Sequence, residues 1–269
     1  MLKKAILIVA SCMLAAWAYY YNRWRAMWAE EPMQPSYDVR HKADDTLRIG
    51  FIGDSWAGMR MPQIDSAFRL RAEDMTRRPV KVRTSGKGGE RSRGIYRKMF
   101  QSEDYGTRPV LAEGLDYCIV YAGINDAAAN LGTRQYCHNM SLILHHLVSC
   151  GIKPVVIEIP DVDIWNIYGD KPLKDLASDF VRSLMTGCRM YSYGEYREAL
   201  KAMIKEEVLA GDLLFIDQKG WNGAQTDIDS KLFLEDRIHL NGRGYEQLDS
   251  CVAAAIASDV LPHSMPYGD

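Results

Sequence analysis

Four short stretches of this chain carry side chains that together can perform acyl transfer. Ser55 follows the apolar run Ile49–Ile52 and the turn pair Gly53-Asp54, and Gly86, Gly88 and Gly89 follow the β-rich run Val80–Thr84. Asn125 follows the apolar run Tyr117–Tyr121, and Asp236 and His239 stand three residues apart near the C-terminus. Transfer through a serine needs a hydroxyl, a base for its proton, a group that orients the base, and donors for the oxyanion. Ser55 offers the hydroxyl and His239 the base. Asp236 can accept a hydrogen bond from the other ring nitrogen, which fixes the tautomer and stabilises the imidazolium as it forms. Asn125 brings a side-chain amide, and the glycines bring backbone N–H groups with no Cβ in the way.

Taken singly, each residue has an ordinary structural use: Gly-Asp-Ser is a turn, Asn125 a turn residue, and the Asp236–His239 pair a cap for the last helix. Asn241, ahead of Gly242 and an apolar periodic stretch, is itself expected to cap that helix. The elements that must position the set follow from hydrophobic pattern. Strand-like runs at Ile49–Ile52, Val80–Thr84, Tyr117–Tyr121, Pro154–Ile159 and Leu213–Ile216 alternate with helical stretches at Gln63–Arg77, Arg91–Phe100, Thr133–Cys150, Leu173–Met185, Tyr193–Leu209 and Gly242–Val260. Five strands separated by helices predict a parallel sheet covered on both faces. In such a sheet ligands bind in the crevice at the carboxyl ends of the strands, where Ser55 falls.

With 269 residues, 47% hydrophobic content and a net charge of −2, the chain has room for one large α/β domain. The near-neutral balance and the lack of a long basic run exclude a nucleic-acid binder. Residues 1–22 form a leader in which Lys3 and Lys4 precede an apolar stretch from Ala5 to Tyr21. Three readings of it stand side by side: a membrane anchor with Trp17, Tyr19, Tyr20 and Tyr21 at its interfacial edge, a signal peptide cut near Ala16-Trp17-Ala18, and a lipoprotein box at Val9-Ala10-Ser11-Cys12. All three export the domain to the periplasmic or extracellular side. Residues 23–46 are polar and proline-bearing, as in a linker, residues 47–262 hold the folded domain, and residues 263–269 are a tail.

The six cysteines do not read as a disulfide framework, since Cys118 lies mid-strand and Cys137 and Cys150 sit on one helix, about 20 Å apart by helical rise; one pair among the others is left open. His145 and His146 point to different helix faces, and His41, His138 and His263 lack partners at ligand spacing. No metal and no cofactor are expected.

The four blocks Gly53-Asp54-Ser55, Gly88-Gly89-Glu90, Gly123-Ile124-Asn125-Asp126 and Asp236-Arg237-Ile238-His239 resemble, in order and spacing, the SGNH (GDSL-type) hydrolase family. The resemblance covers most of Leu47–Val260. It implies a flavodoxin-like three-layer α/β/α sandwich with a five-stranded parallel sheet. It also implies Ser55 as nucleophile, His239 as base and Asp236 as its orienter. The oxyanion hole would be the N–H groups of Ser55 and Gly89 with the Asn125 side chain, Gly88 being the alternative one position away. The chain departs from the family in lacking the asparagine that often precedes the second block's glycines; Ser85 stands nearby instead.

Three loops are expected to line the crevice: Trp56–Met61, Asp161–Asp170 and Lys219–Leu232. They place Trp56, Trp165, Tyr168 and Trp221 among polar residues, a composition suited to a sugar ring; packing residues of the core are the other reading of these tryptophans. The resemblance favours a carbohydrate O-acetylesterase acting on an acylated small molecule or glycan. A lysophospholipase or thioesterase, an O-acetyltransferase using the same acyl-enzyme, and an inactive glycan-binding domain are the alternatives. The membrane would be met only through the N-terminal segment.

Overall fold

The computed structural model describes residues 2–28, 32–33, 38–103, 105–160, 171–207, 209–217 and 232–261. The chain divides into two compact units, Met1–Met33 and Gln34–Asp269. The first is helix α1, Leu2–Trp28. It extends past the apolar stretch because Arg23-Trp24-Arg25-Ala26-Met27-Trp28 contains no helix breaker, and the first proline downstream is Pro32. Over Lys3–Arg23 it is long and apolar enough to cross a membrane, with a mean hydropathy of 1.4.

The second unit alternates β1 (Leu47–Gly53), α2 (Ser55–Gly58), α3 (Pro62–Thr76), β2 (Val80–Gly86), α4 (Ser92–Lys98), α5 (Arg108–Ala112), β3 (Tyr117–Tyr121), α6 (Ile124–Ala128), α7 (Thr133–Ser149), β4 (Lys153–Ile157), α8 (Leu173–Thr186), α9 (Tyr193–Glu206), β5 (Leu214–Ile216) and α10 (Gly242–Val260). The strands form one five-stranded sheet in the order β2-β1-β3-β4-β5, and every pairing is parallel. This is the flavodoxin-like order. The chain runs outward from β1 to β2 and then crosses back to β3, β4 and β5, so right-handed crossovers place the helix after β1 on one face and those after β2, β3 and β4 on the other. Accordingly α3 packs on α10, while α4, α7 and α9 pack together.

The central strands β1 and β3 are buried throughout, which is why they read as unbroken apolar runs, whereas edge strand β2 is largely half-exposed. Residues ahead of β1 already belong to this unit: the Arg40 N–H donates to Ala112 O at 3.2 Å, and His41 Nε2 lies 2.7 Å from Cys150 O. Gly53 is paired with Gly86 on one side and with Tyr121 on the other. The loops that leave β1, β2 and β3 therefore start level with one another, and they carry Ser55, Gly88-Gly89 and Asn125.

Candidate active site

Ser55 opens α2 directly beyond β1. The turn that aims it depends on Gly53, whose φ is +147° and where a Cβ would lie 2.1 Å from Tyr121 O. Asp54 caps the short helix, its Oδ1 accepting the Trp56 N–H at 3.0 Å. Ser55 is thus the first helical residue, where backbone N–H groups have no intrahelical acceptor and can serve an oxyanion. Burial pushes the Asp54 carboxyl up to about 7, and the neighbouring charge of Asp126 adds to the shift.

The glycine loop after β2 is fastened to both neighbours. The Lys87 N–H donates to Gly53 O at 3.1 Å, and Asn125 Nδ2 donates to Glu90 O at 2.9 Å. Below it, buried Asp126 accepts the Ser92 N–H at 2.9 Å and the Ser92 hydroxyl at 2.6 Å, and Asn139 Nδ2 donates to that hydroxyl at 3.2 Å. These bonds brace the loop in the absence of the family's usual asparagine. Ser85, which stands closest in sequence, turns away toward the carbonyls of Tyr105 and Gly106. A Cβ at Gly88 or Gly89 would meet nothing within 4 Å. The requirement for glycine at Gly89 is its φ of +73°, not a lack of space.

Asn125 lies in the first turn of α6, behind Gly123 at φ +121°. Its amide nitrogen carries two hydrogens, so the bond to Glu90 O leaves a second one able to donate. Asp236 and His239 share a tight loop with Arg237 at φ +59°. His239 Nδ1 lies 2.6 Å from Asp236 Oδ2, while Asp236 Oδ1 accepts the N–H groups of Ile238 and His239 at 2.9 Å each. Burial alone would raise this carboxyl, but the His239 amide and imidazole and the Ile238 amide outweigh it and hold it below the usual carboxylate range.

The structure joins Asp236 to His239 directly and Asn125 to the glycine loop, whereas Ser55 and His239 make no hydrogen bond to each other. Catalytic hydrogen bonds of this kind often tighten only around substrate. Trp56, expected on the crevice wall as a substrate contact, is instead buried, with 2% of its surface exposed. Its indole N–H donates to Ile238 O at 3.0 Å. An aromatic ring beside Ser55 can face the crevice or the core, and here the indole N–H is held by Ile238 O on the inner side. Trp165, Tyr168 and Trp221 lie outside the described residues. No group of three or more metal-ligating side chains occurs among the described residues.

Beneath the site is a feature that the sequence pattern did not single out. Arg60, its side chain fully buried, donates to Asp249 at 2.8 and 3.0 Å and to Asp65 at 2.7 Å, and its guanidinium stacks 3.7 Å from the centroid of Phe51. The available signal was Asp249 itself, a charge among the buried residues Tyr245, Leu248 and Val252 of α10.

A family model for GDSL-like lipase/acylhydrolases matches residues 51–247. Among solved structures, the chain is similar to the lipase/acylhydrolase from Enterococcus faecalis, with a TM-score of 0.57 at 17% identity over 81% of this chain and 100% of that one. It is similar to the esterase EstA from Pseudoalteromonas sp., with a TM-score of 0.54 at 13% identity over 81% of this chain and 99% of that one. It is also similar to the acetyl xylan esterase AlAXEase, with a TM-score of 0.53 at 16% identity over 80% of this chain and 100% of that one. At these identities the structural likeness shows the fold. No curated protein matches the sequence. The family model covers all of the sheet beyond the start of β1 together with the loops bearing Ser55, Asn125 and His239, and the chain belongs to the GDSL-like lipase/acylhydrolase (SGNH hydrolase) family.

Proposed function

We propose that this chain is an exported serine esterase that removes O-acetyl groups from a carbohydrate through an acyl-enzyme on Ser55. The observation that carries the reading is the 2.6 Å bond between Asp236 and His239 on a loop that Trp56 ties to the nucleophile's helix. Ser55 Oγ attacks the ester carbonyl while His239 Nε2 takes its proton. The N–H groups of Ser55 and Gly89 and the second Asn125 amide hydrogen hold the oxyanion. The intermediate collapses as His239 returns the proton to the leaving sugar oxygen, leaving acetyl on Ser55. Water then attacks the acyl-enzyme, again giving its proton to His239; as the Ser55 Oγ–acyl bond breaks, His239 returns that proton to Ser55 Oγ, and the acetic acid released ionises to acetate. Nothing in this cycle calls for a metal or cofactor.

A short acyl group is favoured by the hollow flanked by both sequence neighbours of Ser55. It is lined by Asp54, Trp56, Ala122, Ile124, Ile157 and Ile159 among others and has a volume of about 10 Å³, the room taken by about one water molecule. The carbohydrate side rests on the aromatic and polar mixture of the sequence in residues 161–170 and 219–232. Export rests on α1, as a signal sequence or an anchor.

A lipid ester is the second reading, favoured by α8, where Leu173, Phe180 and Leu184 share one helical face and are all exposed. Rates of the full chain on aryl acetate, butyrate and octanoate, each corrected by the Ser55→Ala variant, separate the two. Preference for acetate supports the deacetylase, and preference for octanoate replaces it with the lipid esterase.

A further inference from the structure

The loop bearing Asp236 and His239 sets its own shape by local bonds. Leu234 donates to His239 O at 2.7 Å, Arg237 to Leu234 O at 2.9 Å, and Phe233 and Leu240 form an isolated antiparallel bridge. Asn241 secures the loop's end, accepting the Arg243 and Gly244 N–H groups and donating to Phe233 O at 3.0 Å. None of these bonds reaches the nucleophile, so none fixes how far His239 stands from Ser55.

The bond that does reach across is made by Trp56, whose indole N–H donates to the carbonyl of Ile238, the residue before His239. Trp56 is itself the residue after Ser55, and it is held from every side. Its backbone N–H is taken by Asp54 Oδ1 at 3.0 Å, and its carbonyl accepts the Tyr245 hydroxyl at 2.8 Å. Its ring packs with centroids 6.1 Å from Tyr121 and 6.5 Å from Phe233. Tyr245 in turn stands beside Arg60, whose guanidinium is 5.5 Å from its ring centroid and is locked by Asp249 on the same helix.

We infer that Trp56 is a positioning residue that sets His239 against Ser55, acting through its indole N–H on Ile238. The inference rests on the proposed roles of Ser55 and His239. A buried, fully packed ring has little freedom, so the carbonyl it holds inherits a fixed distance from the start of α2. A phenylalanine would keep the aromatic packing yet remove the indole N–H that reaches Ile238 O. The loop would keep its shape and lose its registration. Displacement of a catalytic group by about 1 Å is enough to cost on the order of 10²-fold in rate.

The test uses the full chain with Trp56→Phe, measuring kcat and KM on aryl acetate, the melting temperature, and the number of competent sites by titration with a serine-directed phosphonate. The expected result is a fall of about 10- to 10²-fold in kcat per titrated site with KM changed less than about twofold. The same substitution in a His239→Ala background should bring no further loss, because the base it positions is gone. Wild-type kcat per site in Trp56→Phe, or an equal fold-loss with and without His239, would overturn the inference. Counting sites keeps the comparison valid if part of the variant misfolds. Full turnover by Ser55→Ala would instead overturn the serine reading, whereas an inactive Ser55→Ala beside an unimpaired Trp56→Phe would remove only the role of Trp56.

Discussion

His239 Nδ1 and the Asp236 carboxylate are 2.6 Å apart, and the second oxygen of that carboxylate holds the backbone N–H of His239 itself. One side chain therefore fixes both the ring and the peptide that carries it, leaving Nε2 as the nitrogen that can serve Ser55.

Replacing Asp236 by Asn keeps an acceptor for the amides but takes away the charge that stabilises the imidazolium and selects its tautomer. Asp236→Asn should lower kcat by roughly 10²- to 10⁴-fold with the fold intact. Steady-state rates beside a thermal melt check this; unchanged kcat would remove Asp236 from the site.

Asn125 braces Glu90 O, and in the proposed reaction its second amide hydrogen serves the oxyanion. Asn125→Ala should lower kcat by about 10²- to 10³-fold, the size of one oxyanion donor. Asn125→Asp should be at least as impaired, since it places acceptors where the oxyanion needs a donor. Turnover of aryl acetate by the two variants decides whether the amide acts on the reaction.

The buried carboxyl of Asp54 makes stability depend on pH in a definite direction. Its native pKa is raised from 3.8 to about 7, by burial first and then by Asp126. Between those values the native state holds a proton that the unfolded chain has released, so this group's contribution to stability falls as pH rises from about 4 to about 7. Asp54→Asn keeps an acceptor for the Trp56 N–H and never ionises. Its melting temperature relative to wild type should rise between about pH 5 and about pH 8, and parallel curves would count against a buried, titrating Asp54.

Arg60 should be among the residues most costly to truncate outside the reacting groups. Arg60→Met leaves Asp249, whose side chain is 4% exposed, without its cation, and the loss should be about 3–5 kcal/mol in denaturant unfolding. Pairing it with Asp249→Leu removes the stranded charge and should recover a large part of that loss, which distinguishes an unpaired carboxylate from simple loss of packing.

How much of this was legible in the sequence follows from the range of each interaction. Ile49–Ile52 and Tyr117–Tyr121 stood out because central parallel strands are buried on both faces and must be apolar throughout. The Asp236–His239 bond spans three residues and was visible as a spacing. The family's four blocks carried the fold, and the strand order and the register at Gly53 then placed three of those blocks side by side. The Trp56–Ile238 bond joins residues 182 apart and the Arg60–Asp249 pair residues 189 apart. Neither has a local pattern, so Trp56 read as a crevice residue and Arg60 was not singled out.

Mapping a phosphonate adduct tests the central claim, that Ser55 is the nucleophile, most directly. The full chain is treated with a serine-directed aryl phosphonate, digested, and analysed by mass spectrometry in parallel with its loss of esterase activity. The account predicts one phosphonyl group on the peptide containing Ser55, appearing in step with the loss of turnover and missing from Ser55→Ala. Loss of activity with the adduct on another residue, or undiminished turnover once Ser55 is modified, would contradict it.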